Sequence, residues 1–260
     1  MDPKKRNTLI AFGALGTVYA SFQIIPDLLP ERVNFVELDR PTGFRKYDAG
    51  ESSSGAFDLF VGLEDGEMAD VAAAKEVADN RVQANVCDAL YSGLDLNPGQ
   101  VPIASFSDYY CPYCRVQTRR LADLSKSRSA EVAVAWHELP LLGEYSNTAA
   151  LAALAAKRQG AYVAFHDHLM KAPFVADEQY LQRLSNNIGV DFDMLIEDMN
   201  SVAVQQELQD SAALSRVFSF VGTPALVIGR SVIQGQISDR AIDEIIELES
   251  DGAWTQLCSA

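Results

Sequence analysis

Val101-Pro102-Ile103-Ala104-Ser105-Phe106 runs through Ser107-Asp108-Tyr109-Tyr110 into Cys111-Pro112-Tyr113-Cys114-Arg115. An apolar strand-like run, a short polar turn and two thiols two residues apart at a helix start decide how the chain is read. A helix N-terminus presents unpaired N–H groups and partial positive charge, so the first sulfur is favoured as thiolate. Thiolate is the species that attacks disulfides, and a low-pKa thiol leaves readily when a mixed disulfide resolves. Pro112 fits the first helical position, where a missing N–H costs nothing. The same spacing is half of a structural zinc site, but that needs two further ligands. Cys87 and Cys258 stand singly, and His137, His166 and His168 show no finger-like spacing to a cysteine, so redox chemistry is the better account of the pair.

Downstream, Cys111 to about Lys126 reads as a helix with Val116, Leu121 and Leu124 inward, and Val132–His137 as the next strand. The middle is helical. Ser146 caps an alanine-rich stretch, Ala149 to Arg158, and Tyr162–Lys171 follows. Asp177 and Asp191 cap two more helices, and Ser201 starts a long one. Gly222-Thr223-Pro224 then opens a strand Ala225–Ile228, a turn, a strand Val232–Gln234 and a helix Arg240–Glu249. The order β-α-β, helices, β-β-α predicts an α/β fold: one four-stranded mixed sheet with helices on both faces and a helical insert over about 141–200. Upstream, 27–99 reads as a linker to about Gly66 followed by a helical extension, Glu67 to Leu90; 251–260 reads as a tail.

The chain has 260 residues, 48% of them hydrophobic and 22% charged, which is the composition of a folded globular protein. A net charge of −15 argues against nucleic-acid binding, which wants a basic patch. Lys4-Lys5-Arg6 precedes an uncharged run of 18 residues, Thr8 to Ile25, that ends at Pro26. A basic flank followed by an apolar stretch is an export signal. At about 27 Å as a helix the run is barely long enough to span a bilayer. Residues 1–26 therefore read as a signal-anchor that tethers the protein to the membrane, although Val18-Tyr19-Ala20 also offers a cleavage site and a buried core helix is the plainer alternative. Export places the domain in an oxidising, periplasmic compartment. Cys87 and Cys258 are then expected to pair in a structural disulfide, the alternatives being two free thiols or a bond between chains.

Phe106 to Arg115, the helical insert, and Phe220-Val221-Gly222-Thr223-Pro224-Ala225-Leu226-Val227-Ile228-Gly229 together resemble the DsbA family of the thioredoxin superfamily, over about residues 100–250. The resemblance implies a thioredoxin-like fold and a thiol–disulfide oxidoreductase without a cofactor, because the cysteines carry the electrons. It makes Cys111 the nucleophile, Cys114 the buried resolving thiol and Pro224 a cis-proline against the sulfurs. Thr223 would touch the sulfurs and offer its backbone to an extended client strand. Its partners would be client thiols and disulfides and a membrane redox protein that resets the pair. Two departures stand out. The dipeptide is Pro-Tyr rather than Pro-His, and Tyr113 can donate a hydrogen bond but no charge. Thr rather than Val precedes the proline, as in isomerase- and reductase-like relatives. A disulfide isomerase or reductase is thus the neighbouring alternative, and a chaperone or metal-binding module on the same fold the distant one. Asp108 reads either as a proton-transfer partner of the thiols or as a turn residue leading the helix. His137 and Glu138 read as a strand-end polar pair in solvent, and His166 and His168 as surface helix residues.

Overall fold

The computed structural model of the chain describes residues 33–48, 53, 65–172 and 175–258. The basic-apolar N-terminus lies outside them, and no described helix is long and apolar enough to cross a membrane. In chain order the described elements are β1 (Val36–Glu37), β2 (Arg45–Asp48), α1 (Asp65–Ala84), α2 (Val86–Tyr91), β3 (Val101–Ser107), α3 (Pro112–Ser127), β4 (Val132–Glu138), α4 (Glu144–Arg158), α5 (Tyr162–Lys171), α6 (Glu178–Ile188), α7 (Phe192–Met199), α8 (Val202–Val217), β5 (Ala225–Ile228), β6 (Ser231–Gln234), α9 (Asp239–Glu249) and α10 (Ala253–Cys258).

Strand β3 is buried at every position, as an apolar run without alternation requires when both sheet faces are covered. It pairs in parallel with β4 across the α3 crossover and antiparallel with β5, which turns back into β6. These four strands and the insert are the expected thioredoxin-like frame. The sheet nevertheless has six strands, in the order β1-β2-β6-β5-β3-β4. The stretch read as linker supplies the other two, β2 lying parallel to β6 in the register Arg45↔Ser231 to Asp48↔Gln234. Arg-Lys-Tyr-Asp is too short and too charged to announce a strand. It forms because β6 would otherwise leave an open edge, and charged residues suit a cover strand. Phe44, 2% exposed, anchors it edge-on against Phe218 at 5.1 Å.

The single helix expected over Glu67–Leu90 is two, broken at Asn85. Asn85 takes an extended backbone (φ −152°), and its side chain accepts from the Asp88 N–H at 3.1 Å, restarting the helix. Val116 is exposed rather than inward; the buried face of α3 is Cys114, Gln117, Thr118 and Leu121. Ser146 does not cap α4, which starts two residues earlier. The 251–260 tail contains α10, whose Leu257 and Cys258 pack on the core. Two apolar cores result. One fills the helical insert around Ala152, Ala153, Phe165, Leu181 and Leu195. The other joins α1 and α2 to the sheet through Val82, Leu90, Phe106, Leu214 and Val227. Cys87 and Cys258 are bonded, their Cα atoms 5.4 Å apart.

Candidate active site

The β3–α3 junction is built by local rules. The Cys111 N–H bonds the Asp108 carbonyl at 3.1 Å and closes the turn. Cys111 is the N-cap of α3 with Pro112 at the first helical position, and its sulfur accepts from the Cys114 N–H at 3.1 Å. A sulfur thus takes the place that a serine or aspartate oxygen usually holds, beside the positive end of the helix. Opposite it lies the Gly222-Thr223-Pro224 loop, with a cis bond before Pro224 and the Thr223 carbonyl 3.4 Å from Cys111 Sγ. Gln234 holds this loop from β6: its amide donates to the Gly222 carbonyl at 3.0 Å and its oxygen accepts from Val221 N–H at 3.1 Å.

The two thiols are driven apart in acidity. Cys111 is lowered to about 6 by hydrogen bonds from the Cys114 side chain, the Ser53 side chain, the Cys114 N–H and Thr223, against burial that works the other way. Cys114 is pushed far up, first by burial and then by the neighbouring Cys111 sulfur. Among the described residues the buried Thr223 hydroxyl makes no regular hydrogen bond, and its influence on both sulfurs favours the thiolate. One sulfur is therefore a thiolate near neutral pH and the other a protonated donor to it. That is the arrangement a nucleophile and a resolving thiol need.

The structure brings Cys111, Cys114, Thr223 and Pro224 together. Asp108 lies in the same junction, but its carboxylate is committed. Oδ1 accepts from Tyr110 N–H and Ser146 Oγ at 2.8 Å each, and Oδ2 from Leu141 and Leu142 N–H at 2.7 and 3.0 Å. This ties the cysteine turn to the start of the insert. Arg115 donates to the Tyr109 carbonyl at 3.1 Å rather than to a sulfur. Tyr113 is half-buried and is not among the groups acting most strongly on the Cys111 thiol.

His137 and Glu138 are not a solvent pair. Glu138 is 1% exposed, and His137 bonds the Leu90 carbonyl at 2.8 Å while stacking on Phe106. Burial pushes the His137 imidazole below its ordinary pKa, so it is neutral. His166 is buried too, whereas His168 is exposed. Glu138 Oε1 accepts from the Tyr109 and Tyr162 hydroxyls at 2.6 and 2.7 Å, and His166 Nδ1 sits 2.8 Å from the Tyr109 hydroxyl. This cluster holds the residue two before Cys111 from the insert side. Strand-end and helix patterns gave no hint of it, because the partners come from three separate elements. Ser53 was missed as well, since a Ser-Ser-Ser-Gly run carries no periodicity.

A family described as the DSBA-like thioredoxin domain matches residues 102–247. The chain belongs to it. It is by that membership a thiol–disulfide oxidoreductase, and the match covers the span on which the resemblance was read. A thioredoxin-like oxidoreductase from Silicibacter pomeroyi DSS-3 is 31% identical and superposes with a TM-score of 0.57, covering 63% of this chain and 97% of that one. The thiol-disulfide exchange protein alpha-DsbA2 from Wolbachia pipientis shares the fold, with 22% identity, a TM-score of 0.57, and coverage of 67% and 97%. A curated relative, the Na(+)/H(+) antiporter NhaA of Herminiimonas arsenicoxydans, is 22% identical over 157 residues, 60% of this chain. The chain spans about a quarter of the length of that relative, 25%.

Proposed function

We propose that this DsbA-like protein works outside the cytoplasm as an oxidant of client proteins. A client thiolate attacks Cys111 of the Cys111–Cys114 disulfide; the intramolecular S–S bond breaks, a client–Cys111 bond forms, and the electron pair leaves on Cys114. A second client thiolate then attacks the client sulfur of that mixed disulfide. The client leaves as a disulfide and the protein as a dithiol carrying the two electrons, which a membrane redox partner removes. The observation that carries this reading is the split between the two sulfurs. A thiolate held at about 6 is a good leaving group and stabilises the reduced form, which makes the oxidised form the better oxidant. Cys111 thus lies between thioredoxin, about 7, and the strongly oxidising DsbA, about 3.5. The expected potential lies between theirs, about −270 and −120 mV.

Export rests on Lys4-Lys5-Arg6 and the apolar run to Ile25, and agrees with the Cys87–Cys258 bond, which an oxidising space preserves. The test is equilibration of the full chain against glutathione, together with alkylation trapping of its redox state in the cell. A mostly oxidised pair in the cell and transfer of the disulfide to a reduced, unfolded client support the oxidant. A pair held reduced, with repair of a scrambled client, supports the isomerase or reductase that Thr223 before Pro224 suggests.

A further inference from the structure

Cys111 is fully buried, 0% exposed, although a nucleophile that meets protein clients has to be reached. Ser53 lies on it. The Ser53 N–H donates to the Thr223 carbonyl at 2.7 Å, and the Thr223 N–H donates to the Ser53 carbonyl at 2.8 Å, a complete antiparallel pair. Both backbone groups that Thr223 would offer an extended client are thereby taken. The same pairing sets Ser53 beside Cys111, and its side chain is among the groups that favour the Cys111 thiolate.

We propose that Ser53 is a resident pseudo-client: it occupies the client's backbone seat at Thr223 and presents, at Cys111, the oxygen analogue of a client cysteine. Serine differs from cysteine only in the chalcogen. A strand seated in this register with cysteine in place of serine would put sulfur on sulfur and form the mixed disulfide. Serine fills the seat and cannot react. The geometry also sets the register of a real client, whose reacting cysteine pairs with Thr223. A client must displace Ser53, and its apparent affinity is the intrinsic one multiplied by the fraction of time the seat is free. The inference rests on the client-exchange reading above and specifies where in that site the client binds.

Two full-length variants test it. In Ser53→Cys combined with Cys114→Ser, equilibrated with oxidised and reduced glutathione, positions 53 and 111 should join in an internal disulfide as two glutathione thiols are released. Mass analysis showing glutathione on both positions and no internal bond would overturn the seat. Ser53→Pro removes the N–H donor and the hydroxyl. With a reduced peptide bearing one cysteine among serines and glycines, the KM of the oxidised enzyme should fall on the order of tenfold, the weight of about two hydrogen bonds. An unchanged or raised KM overturns the competition. An internal disulfide with no exchange from either wild type or Ser53→Pro overturns the client reading and leaves the seat standing.

Discussion

The cysteine turn and the described N-terminal residues, 34–48 and Ser53, are built on opposite plans. The turn is closed by neighbours: Cys111 to Asp108, Cys114 to Cys111, and Pro112 at the helix start all act within a few residues. The N-terminal stretch is held by partners far along the chain. Arg45 reaches Glu249 at 2.8 Å, β2 pairs with β6, and Ser53 pairs with Thr223. The chemistry is set mainly within the turn, with Thr223 and Ser53 contributing from afar, and attachment is long-range, so the two should fail largely separately. Substitution of the turn's sulfurs should remove exchange and leave the fold, and substitutions in the distant ties that do not touch Cys111 should cost stability and leave exchange.

The sharpest break is Cys111→Ser. Exchange with a client should fall on the order of 10³-fold or more, while the folded secondary structure, read by circular dichroism, is kept. A residual rate through Cys114 alone would contradict the division of labour between the sulfurs. Next comes the Cys87→Ser, Cys258→Ser pair, which opens a bridge between residues 171 apart. Loss of a loop constraint of that length should cost about 2–5 kcal/mol in denaturant unfolding. The alkylation rate of Cys111 in the folded protein should not change.

That division also explains what could be read in advance. Strand β3, the thiol pair, Pro224 and the helical insert announce themselves through contiguous patterns: an apolar run, a two-residue spacing, capping residues before periodic helices. Asp177, Asp191 and Ser201 cap their helices with the N–H three residues on, where the sequence places them. Apart from Cys87 and Cys258, the cysteines left once the reactive pair is assigned, residues whose role depends on distant partners were not legible. Arg45-Lys46-Tyr47-Asp48 is a strand only because β6 has an edge to cover. Glu138 looks like a strand-end charge until Tyr109 and Tyr162 arrive from elsewhere. Val116 looks apolar-inward by residue type, but the geometry of α3 turns Gln117 inward, where it accepts from the Ile237 N–H at 3.2 Å.

Two substitutions sharpen the contrast at lower amplitude. Glu249 is fully buried and takes Arg45 at 2.8 Å and the Arg230 N–H at 3.2 Å, together with the Ser231 hydroxyl. Arg45→Met leaves that carboxylate without its Arg45 partner, and urea unfolding should show a loss of about 3 kcal/mol with exchange retained. Asp108→Asn sets an amide NH₂ against N–H donors where a carboxylate oxygen accepted them. The expected cost is about 2 kcal/mol. Here exchange should fall too, because these bonds hold the cysteine turn to the insert. A full loss of stability with normal exchange would show that the turn needs no such brace.

The smallest effect is the most specific to the turn. With Cys111 lowered to about 6, the thiolate is already about nine-tenths formed at pH 7. Its alkylation should then rise only about 10% between pH 7 and 9, whereas a free cysteine gains more than about tenfold over the same range. The same shift sets the sign of a stability change in the reduced protein. Its ordinary value is 9.0, so between about pH 6 and 9 the unfolded chain carries a proton on Cys111 that the folded chain has lost. Folding is then favoured as pH rises through that window and loses the contribution as pH falls through about 6. Cys111→Ser removes the titrating group, so the stability difference between it and the reduced parent should slope across pH 6–9 and flatten on either side. Cys87→Ser with Cys258→Ser, measured against its own Cys111→Ser version, should give the same slope, because the group that titrates is held by its neighbours and not by the distant bridge.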